Sequence, residues 1–589
     1  MPRRTLGNDK AARLAGPPRP AAVARYAPTT MSHFLRVAVA IMLATAVPFP
    51  QPVVAQSSAT LRIPFPQEDG TLTPYTFTFG YPLMTLVYDT LMWRDQSGTP
   101  RPWLARDVKV TNGGRRVTVE LRNGARWHDG RRLTAGDVEF TFEYVRARYH
   151  PRFTPQLELI DEVRAVKPSR VVFELTAPGA GFLDQPLSDV PILPRHLWEG
   201  IAAGDVPPGS PVGSGPYRLT RHRPDNAYTF RANRNYFLGA PRVRTLKFPI
   251  VPGPEDMLER LETREVDMVP LTLPRDAAQR LEDLGAEVAT GAYYVGTILV
   301  FNVRRAPFDD PVVRRAVAAA LDLRTIARAA GNGVPAEYGL IHPRSPWASD
   351  EILHRVDPSA ARDALTRVDV PRVEVLAPAG DPVRAEAGRR VAIALDSAGV
   401  SARVKTIARD DLVAALGEDS APARFTLAIW STPPLASYDP AFVARMLASD
   451  PRTAPLNVSG YESARFDRVA RRVATAADDV ERRAAVEEQL RLIARDAPVV
   501  PLLFQQGAFA YNPRSYDDWV FIEGTGILDK QSFIDHASST FDETPERARG
   551  VPRVQPEREL PPLMTASLVL FAIFVVAFTT TAVRARRGR

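Results

Sequence analysis

Residues 116–141 hold the decisive stretch. Arg116-Val117-Thr118-Val119-Glu120-Leu121 runs through a short break into Gly124-Ala125-Arg126-Trp127-His128-Asp129-Gly130. Leu133-Thr134-Ala135-Gly136-Asp137-Val138-Glu139-Phe140-Thr141 follows. In 116–121 apolar residues recur with period two, the mark of a half-buried strand. Thr134 is a good N-cap, and Asp137 at the third helical position gives a capping-box-like start. Val138, Phe142 and Val145 then share one helix face. The stretch between them reads as a tight turn with Trp127 as its apolar anchor, a packing role. A strand, a turn and a helix in thirty residues point to α/β layers.

The same alternation continues outward. Thr297–Phe301 (TILVF) reads as a buried strand. Asp310 caps the next helix, with Pro311 at its first position, where a missing N–H costs little. Val312, Val313, Ala316, Val317, Ala320 and Leu321 form its apolar stripe. Arg372–Leu376, Val383–Ser397 and Ala402–Ile407 read as strand, helix and strand, a βαβ unit. Ala484–Ala494 is a further amphipathic helix, ended by Asp496-Ala497-Pro498. A chain of 589 residues is too long for one core, so two or more lobes are expected.

The net charge of +8 sits at the ends. Residues 1–30 and the tail Arg584, Arg586, Arg587 and Arg589 carry the excess, and the body between is slightly acidic. A near-neutral body argues against nucleic-acid binding. There is no cysteine, which excludes disulfides, thiolate metal sites and a lipid-anchored N-terminus. Residues 31–55 read as a secretory signal: Arg36, the apolar run Val37–Val47, and Val53-Val54-Ala55 as the cleavage site. Residues 1–30 do not fit that pattern, so Met31 is the expected start. Leu563–Val583 is an uncharged run of 21 residues, about 30 Å as a helix, with RARRGR behind it. That reads as a single transmembrane helix with a cytoplasmic tail at 584–589 and the body outside. The Pro/Arg/Glu-rich 546–562 is its linker. Leu560-Pro561-Pro562-Leu563-Met564 lacks the Leu-Pro-x-Thr-Gly of a cell-wall sorting signal.

Five segments together resemble the peptide/nickel class of bacterial extracellular solute-binding proteins. The 124–141 motif comes first, then Gly213-Ser214-Gly215-Pro216-Tyr217. Phe301-Asn302 follows, with Pro307-Phe308-Asp309-Asp310 and Val313-Arg314-Arg315-Ala316. Next are Asp439-Pro440, Asn457-Val458-Ser459-Gly460-Tyr461 and Phe466-Asp467. Ala497-Pro498-Val499-Val500-Pro501-Leu502 is last.

The resemblance implies a bilobal periplasmic-binding-protein-like α/β fold. Lobe I would comprise 57–100, 212–299 and 502–545, with a subdomain at 101–211. Lobe II would be 300–501, with hinges near Val300-Phe301-Asn302 and Pro501-Leu502-Leu503. A small ligand enclosed between the lobes would be delivered to the permease and ATPase of an ABC importer, by a monomeric receptor without a cofactor. Trp430 matches a tryptophan that lines the family's cleft. Tyr293, Tyr294, Tyr81, Phe79, Tyr438 and Asn302 are the other candidate ligand contacts. Peptide-binding members carry an aspartate at the position of Ala436, opposite the ligand's ammonium group. Its loss leaves open another carboxylate or a ligand other than a free-amine peptide, such as an oligosaccharide, an opine-like compound or a nickel chelate.

Catalysis is not expected. There is no Gly-x-Ser-x-Gly motif, and the eight histidines form no closely spaced metal-ligating pair. A tethered adhesion or folding-helper protein is the alternative of another class.

Overall fold

A computed structural model describes residues 60–534, apart from 78–79, 203–204, 332, 369 and 418–422. The expected signal, linker, apolar span Leu563–Val583 and basic tail lie outside the described residues. Among those described, no helix is long and apolar enough to cross a membrane.

The first lobe is built on a four-stranded sheet in the order Thr60–Arg62, Thr245–Pro249, Ala227–Ala232, Tyr217–Arg223. Its core gathers Leu61, Tyr217, Phe230, Leu246 and Phe248 with Phe509 and Phe533 from far along the chain. A second, antiparallel sheet carries Arg116–Leu121 between Ala105–Thr111 and Arg170–Leu175. The alternating Val117, Val119 and Leu121 are buried, and they share a core with Val138, Phe142 and Val145 of the helix Ala135–Ala147. That helix starts as expected: the Thr134 N–H donates to Asp137 Oδ2 at 2.8 Å. The 127–130 turn also reaches further than a turn need. The His128 N–H donates to the Gly213 carbonyl at 2.8 Å, and its Nε2 lies 3.0 Å from the Gly215 carbonyl oxygen. Gly213 there is a steric necessity, because a Cβ would stand 1.9 Å from the Val87 carbonyl oxygen.

The second lobe centres on a six-stranded mixed sheet. Its order is Val334–Pro335, Val499–Tyr511, Glu287–Phe301, Leu427–Thr432, Val373–Pro378, Ala402–Ile407. The βαβ unit is present, with Pro382–Ser397 as its crossover helix and Val391 and Leu395 buried beneath it. Asp310 Oδ1 accepts the Val312 N–H at 2.7 Å and caps the helix Pro311–Ala320. The stripe expected on that helix is narrower: Val312, in the first turn beside the cap, is 52% exposed. The helix expected over 484–494 runs from Asp479 to Asp496, because Asp478 caps it earlier. Arg314 closes its other end by donating to the carbonyl oxygens of Asp496 and Ala497.

Two long strands run through both sheets' territory. Glu287–Ala292 pairs with Gln506–Tyr511 beside the first lobe, and Gly296–Val300 pairs with Val499–Phe504 in the second. The register breaks between Ala292 and Gly296, and again between Thr297 and Ile298. The first break leaves Tyr293–Val295 opposite Gln505 alone, a few residues before Val300–Asn302. Missing ladder bonds at this point concentrate bending there.

One buried charge ties the first lobe together. Asp89 and Lys530 are both fully buried, with Nζ 2.9 Å from Oδ1. The same carboxylate accepts from Trp103 Nε1 at 2.8 Å, the Tyr236 hydroxyl at 3.0 Å and the Ser214 hydroxyl at 3.1 Å. The Trp93 and Trp103 rings cover the ammonium at 3.9 and 4.6 Å. Lys530→Ala is expected to lower unfolding free energy by about 3–5 kcal/mol, because it strands a buried carboxylate. Urea unfolding of the two proteins checks this.

Candidate functional site

One of the places where the lobes meet is built around a tyrosine ring. Tyr438 ends the short helix Leu435–Tyr438 of the second lobe. Its hydroxyl donates to the backbone carbonyl of Glu523 in the first lobe, and the Arg94 guanidinium lies 4.6 Å over its ring. Two first-lobe glycines make the seat, Gly98 at φ +82° and Gly524 at φ +99°. A Cβ on Gly98 would fall 2.6 Å from Tyr438 Cε1, and one on Gly524 would fall 2.5 Å from its hydroxyl oxygen. Both the backbone conformation and the space therefore demand glycine. Burial pushes the Tyr438 hydroxyl above the usual tyrosine range, so it stays a donor at neutral pH.

Tyr294 stands beside it, with ring centroids 5.3 Å apart. It sits in the register break, where its N–H donates to the Gly524 carbonyl at 3.0 Å. His342 packs on its other side at 4.7 Å. Arg344 Nε donates to the Glu523 carboxylate at 2.7 Å. The arginine side chain is 61% exposed and the glutamate only 11%, so this cross-lobe pair lies at the rim.

Of the expected contacts among the described residues, the structure brings only Tyr294 and Tyr438 into this cluster. Tyr293, next along the strand, packs edge-on against Phe509 at 5.5 Å in the first-lobe core. Trp430 lies opposite Ile298 in its strand, half-buried against the second-lobe core, with Arg409 5.6 Å over its ring. Tyr81 donates to Asp189 Oδ1 at 2.9 Å and lies 3.8 Å beneath Arg152, joining its helix to the appended subdomain. The Asn302 side chain is engaged by its own lobe. It donates to the Phe425 carbonyl at 3.0 Å and accepts from Arg304 N–H and Nε. Phe79 lies outside the described residues. Ala436 is buried in the apolar core of the second lobe. Arg94, Arg344 and Glu523 went unread in the sequence, and His342 was read only as one of eight unpaired histidines. They stand in loops or short elements without periodicity, and their one signal is charge or imidazole set among apolar residues and glycines.

A second cluster joins the second lobe to the appended subdomain. Arg482 is fully buried. It bonds Asp439, approaches Asp184 Oδ2 at 3.8 Å and lies over the Trp347 ring at 4.7 Å. Arg445 reaches across to the Arg152 carbonyl at 2.7 Å and to the Gln185 amide oxygen. Burial holds the Arg445 guanidinium down to about 10. Burial likewise raises the Asp184 carboxyl to about 7; Asp439 adds to this, while Arg94 and Arg482 oppose it. Among the described residues no group of three or more acidic, histidine or cysteine side chains is placed to hold a metal ion.

Residues 99–453 match the middle region of the bacterial extracellular solute-binding proteins, family 5. The chain belongs to this family. It is 27% identical to the dipeptide-binding protein of Escherichia coli over 288 residues, 45% of this chain and 54% of that protein. The chain spans about half the length of the curated relatives it matches. The oligopeptide-binding protein AppA of Bacillus subtilis, solved with a nonapeptide, shares the fold with a TM-score of 0.71 at 18% identity, covering 82% of this chain and all of that one. NikZ of Campylobacter jejuni, solved with Ni(L-His), gives 0.69 at 21% identity over 80% of this chain and 97% of that one. The bilobal family-5 fold expected from the sequence is the one observed.

The raised Asp184 carboxyl sets a pH signature. The folded protein holds this proton between about pH 4 and 7, where an unfolded chain has released it. The stability this group contributes therefore falls as pH rises through that window. The melting temperature of the parent should drop from pH 5 to pH 8 relative to Asp184→Asn, measured by scanning calorimetry. Parallel curves would contradict the assignment.

Proposed function

We propose that this chain is the extracytoplasmic receptor of an ABC importer and captures a small peptide or peptide-like ligand between its lobes. The observation that carries this reading is the Tyr438 seat. A tyrosine of one lobe fits a glycine-lined socket of the other, the arrangement a two-lobed carrier needs to signal that it is loaded. The division into lobe I (57–100, 212–299, 502–545), its subdomain (101–211) and lobe II (300–501) belongs to the same reading. Family membership and the dipeptide- and oligopeptide-binding relatives support it. Tyr294, Tyr438 and Trp430 are the walls we assign to the ligand, since aromatic faces suit a pocket that reads backbone rather than side chains. The signal at 31–55 and the apolar Leu563–Val583 give the receptor its place on the outer face of the cytoplasmic membrane, tethered by its C-terminal segment. Permease and ATPase subunits are its partners.

Ala436 favours a second reading. With a buried methyl group where peptide-binding members carry a carboxylate, a ligand without a free ammonium group fits the same cleft: an opine-like compound, an oligosaccharide or a nickel chelate.

Thermal shift distinguishes the two readings, since a ligand that binds only the folded form raises its melting temperature by mass action. Di- and tripeptides are expected to raise it, while oligosaccharides and the nickel–histidine chelate leave it unchanged; the reverse pattern selects the second reading. Trp430→Ala should weaken capture of the same ligand about tenfold with the circular dichroism spectrum retained. Unchanged affinity would remove Trp430 from the cleft.

A further inference from the structure

His342 is 2% exposed, and its Nε2 has no hydrogen-bond partner among the described residues. Its Nδ1 accepts the backbone N–H of Arg344 at 3.1 Å. Burial, with Arg344 adding to it, lowers the imidazole to about 4, so the ring is neutral at neutral pH. A neutral ring whose Nδ1 is an acceptor carries its one proton on Nε2. Among the described residues this buried N–H donor has nothing to receive it, a rare state in a folded protein.

The ring is fixed in place. The His342 N–H donates to Ser437 Oγ at 3.0 Å, and the Ser345 hydroxyl donates to the Ser437 carbonyl at 2.6 Å. The imidazole is flanked by Tyr294 at 4.7 Å and by Phe504, edge to face, at 4.9 Å. Both flanking residues lie at the register break where the long strands cross between lobes. This fixed donor therefore stands at the lobe junction, beside Tyr294.

We propose that His342 Nε2–H is a ligand-directed donor, and that it bonds a carbonyl or carboxylate oxygen of the captured molecule. The inference rests on the receptor reading above and adds the polar group that reads the ligand's acceptor. An aromatic wall alone does not orient a guest, whereas one fixed donor sets where an oxygen must lie. A site built around a hydrogen bond rejects analogues that leave its buried group unpaired.

Two substitutions separate this role from a packing role, with tri-alanine as the probe and calorimetric titration of the full chain as the readout. His342→Asn keeps an oxygen for the Arg344 N–H, as in an Asx turn, and deletes Nε2. His342→Gln places an amide N–H near the Nε2 position. His342→Asn should lose about tenfold or more in affinity and His342→Gln should stay within about threefold of the parent. Equal losses in both variants, or parental affinity in His342→Asn, would overturn the proposal and leave the donor to the face of Phe504. Should the variants fold poorly, nitrogen-15 spectra of the parent decide: the Nε2–H resonance moves on adding tri-alanine, or the proposal falls. A parent that binds no tri-alanine overturns the peptide reading itself and this inference with it. A parent that binds while His342→Asn binds equally overturns the inference alone.

Discussion

A tyrosine ring that only glycines can accommodate sets the relation between the two lobes. Tyr438 reaches the first lobe at Gly98 and Gly524, both left-handed and both too close to the ring to carry a side chain. The seat works because Gly524 is also bound to the crossing strand: its N–H donates to Ala292 at 2.8 Å and its carbonyl accepts from Tyr294 at 3.0 Å. The socket, the register break and the candidate ligand wall are thus one connected structure. Two backbone hydrogen bonds thus tie the strand crossing at 292–296 to the seat.

Closure places charges where water is scarce, and the structure answers with partners of unequal strength. Arg482 is wholly buried and shares Asp439 and the nearby Asp184. Such a pair is strongly destabilising to break but adds little net attraction, because both charges were desolvated to make it. The Arg344–Glu523 pair lies at the rim, where solvent screening leaves an exposed pair worth about 1 kcal/mol or less. The contacts between the lobes therefore depend on fit at Tyr438 and on paired buried charge, with a weaker pair at the rim.

Much of the scaffold was legible because local rules determine it. Period-two alternation located Arg116–Leu121, the Thr134–Asp137 pair located its helix, and Asp310-Pro311 located another. Errors were of range: Asp478 starts a helix before its apolar pattern does, and Val312 faces solvent because the cap turns the first residues outward. The site was legible only in part. Tyr294 and Tyr438 lie 144 positions apart in the numbering, and the resemblance, not any local pattern, put both on the candidate list. Glu523, Arg94 and His342 meet them through tertiary packing of irregular segments, which leave no periodic trace. Asn302 was drawn in by its motif, yet its amide serves the turn after its own strand. Ala436 was readable as a departure, and the structure adds that the position is apolar core.

The lobes are expected to open and close about the 292–296 crossing, with closure selected by ligand. The chain has no native cysteine, so spin labels can be placed at will. Cysteines at Lys109 of the appended subdomain and Val480 of the second lobe, both exposed, would report the interlobe distance by double electron–electron resonance. Without ligand the distribution is expected to be broad or two-peaked, and to collapse onto the shorter distance when a mixture of di- and tripeptides is added. A single distance that is the same with and without every ligand offered would contradict it.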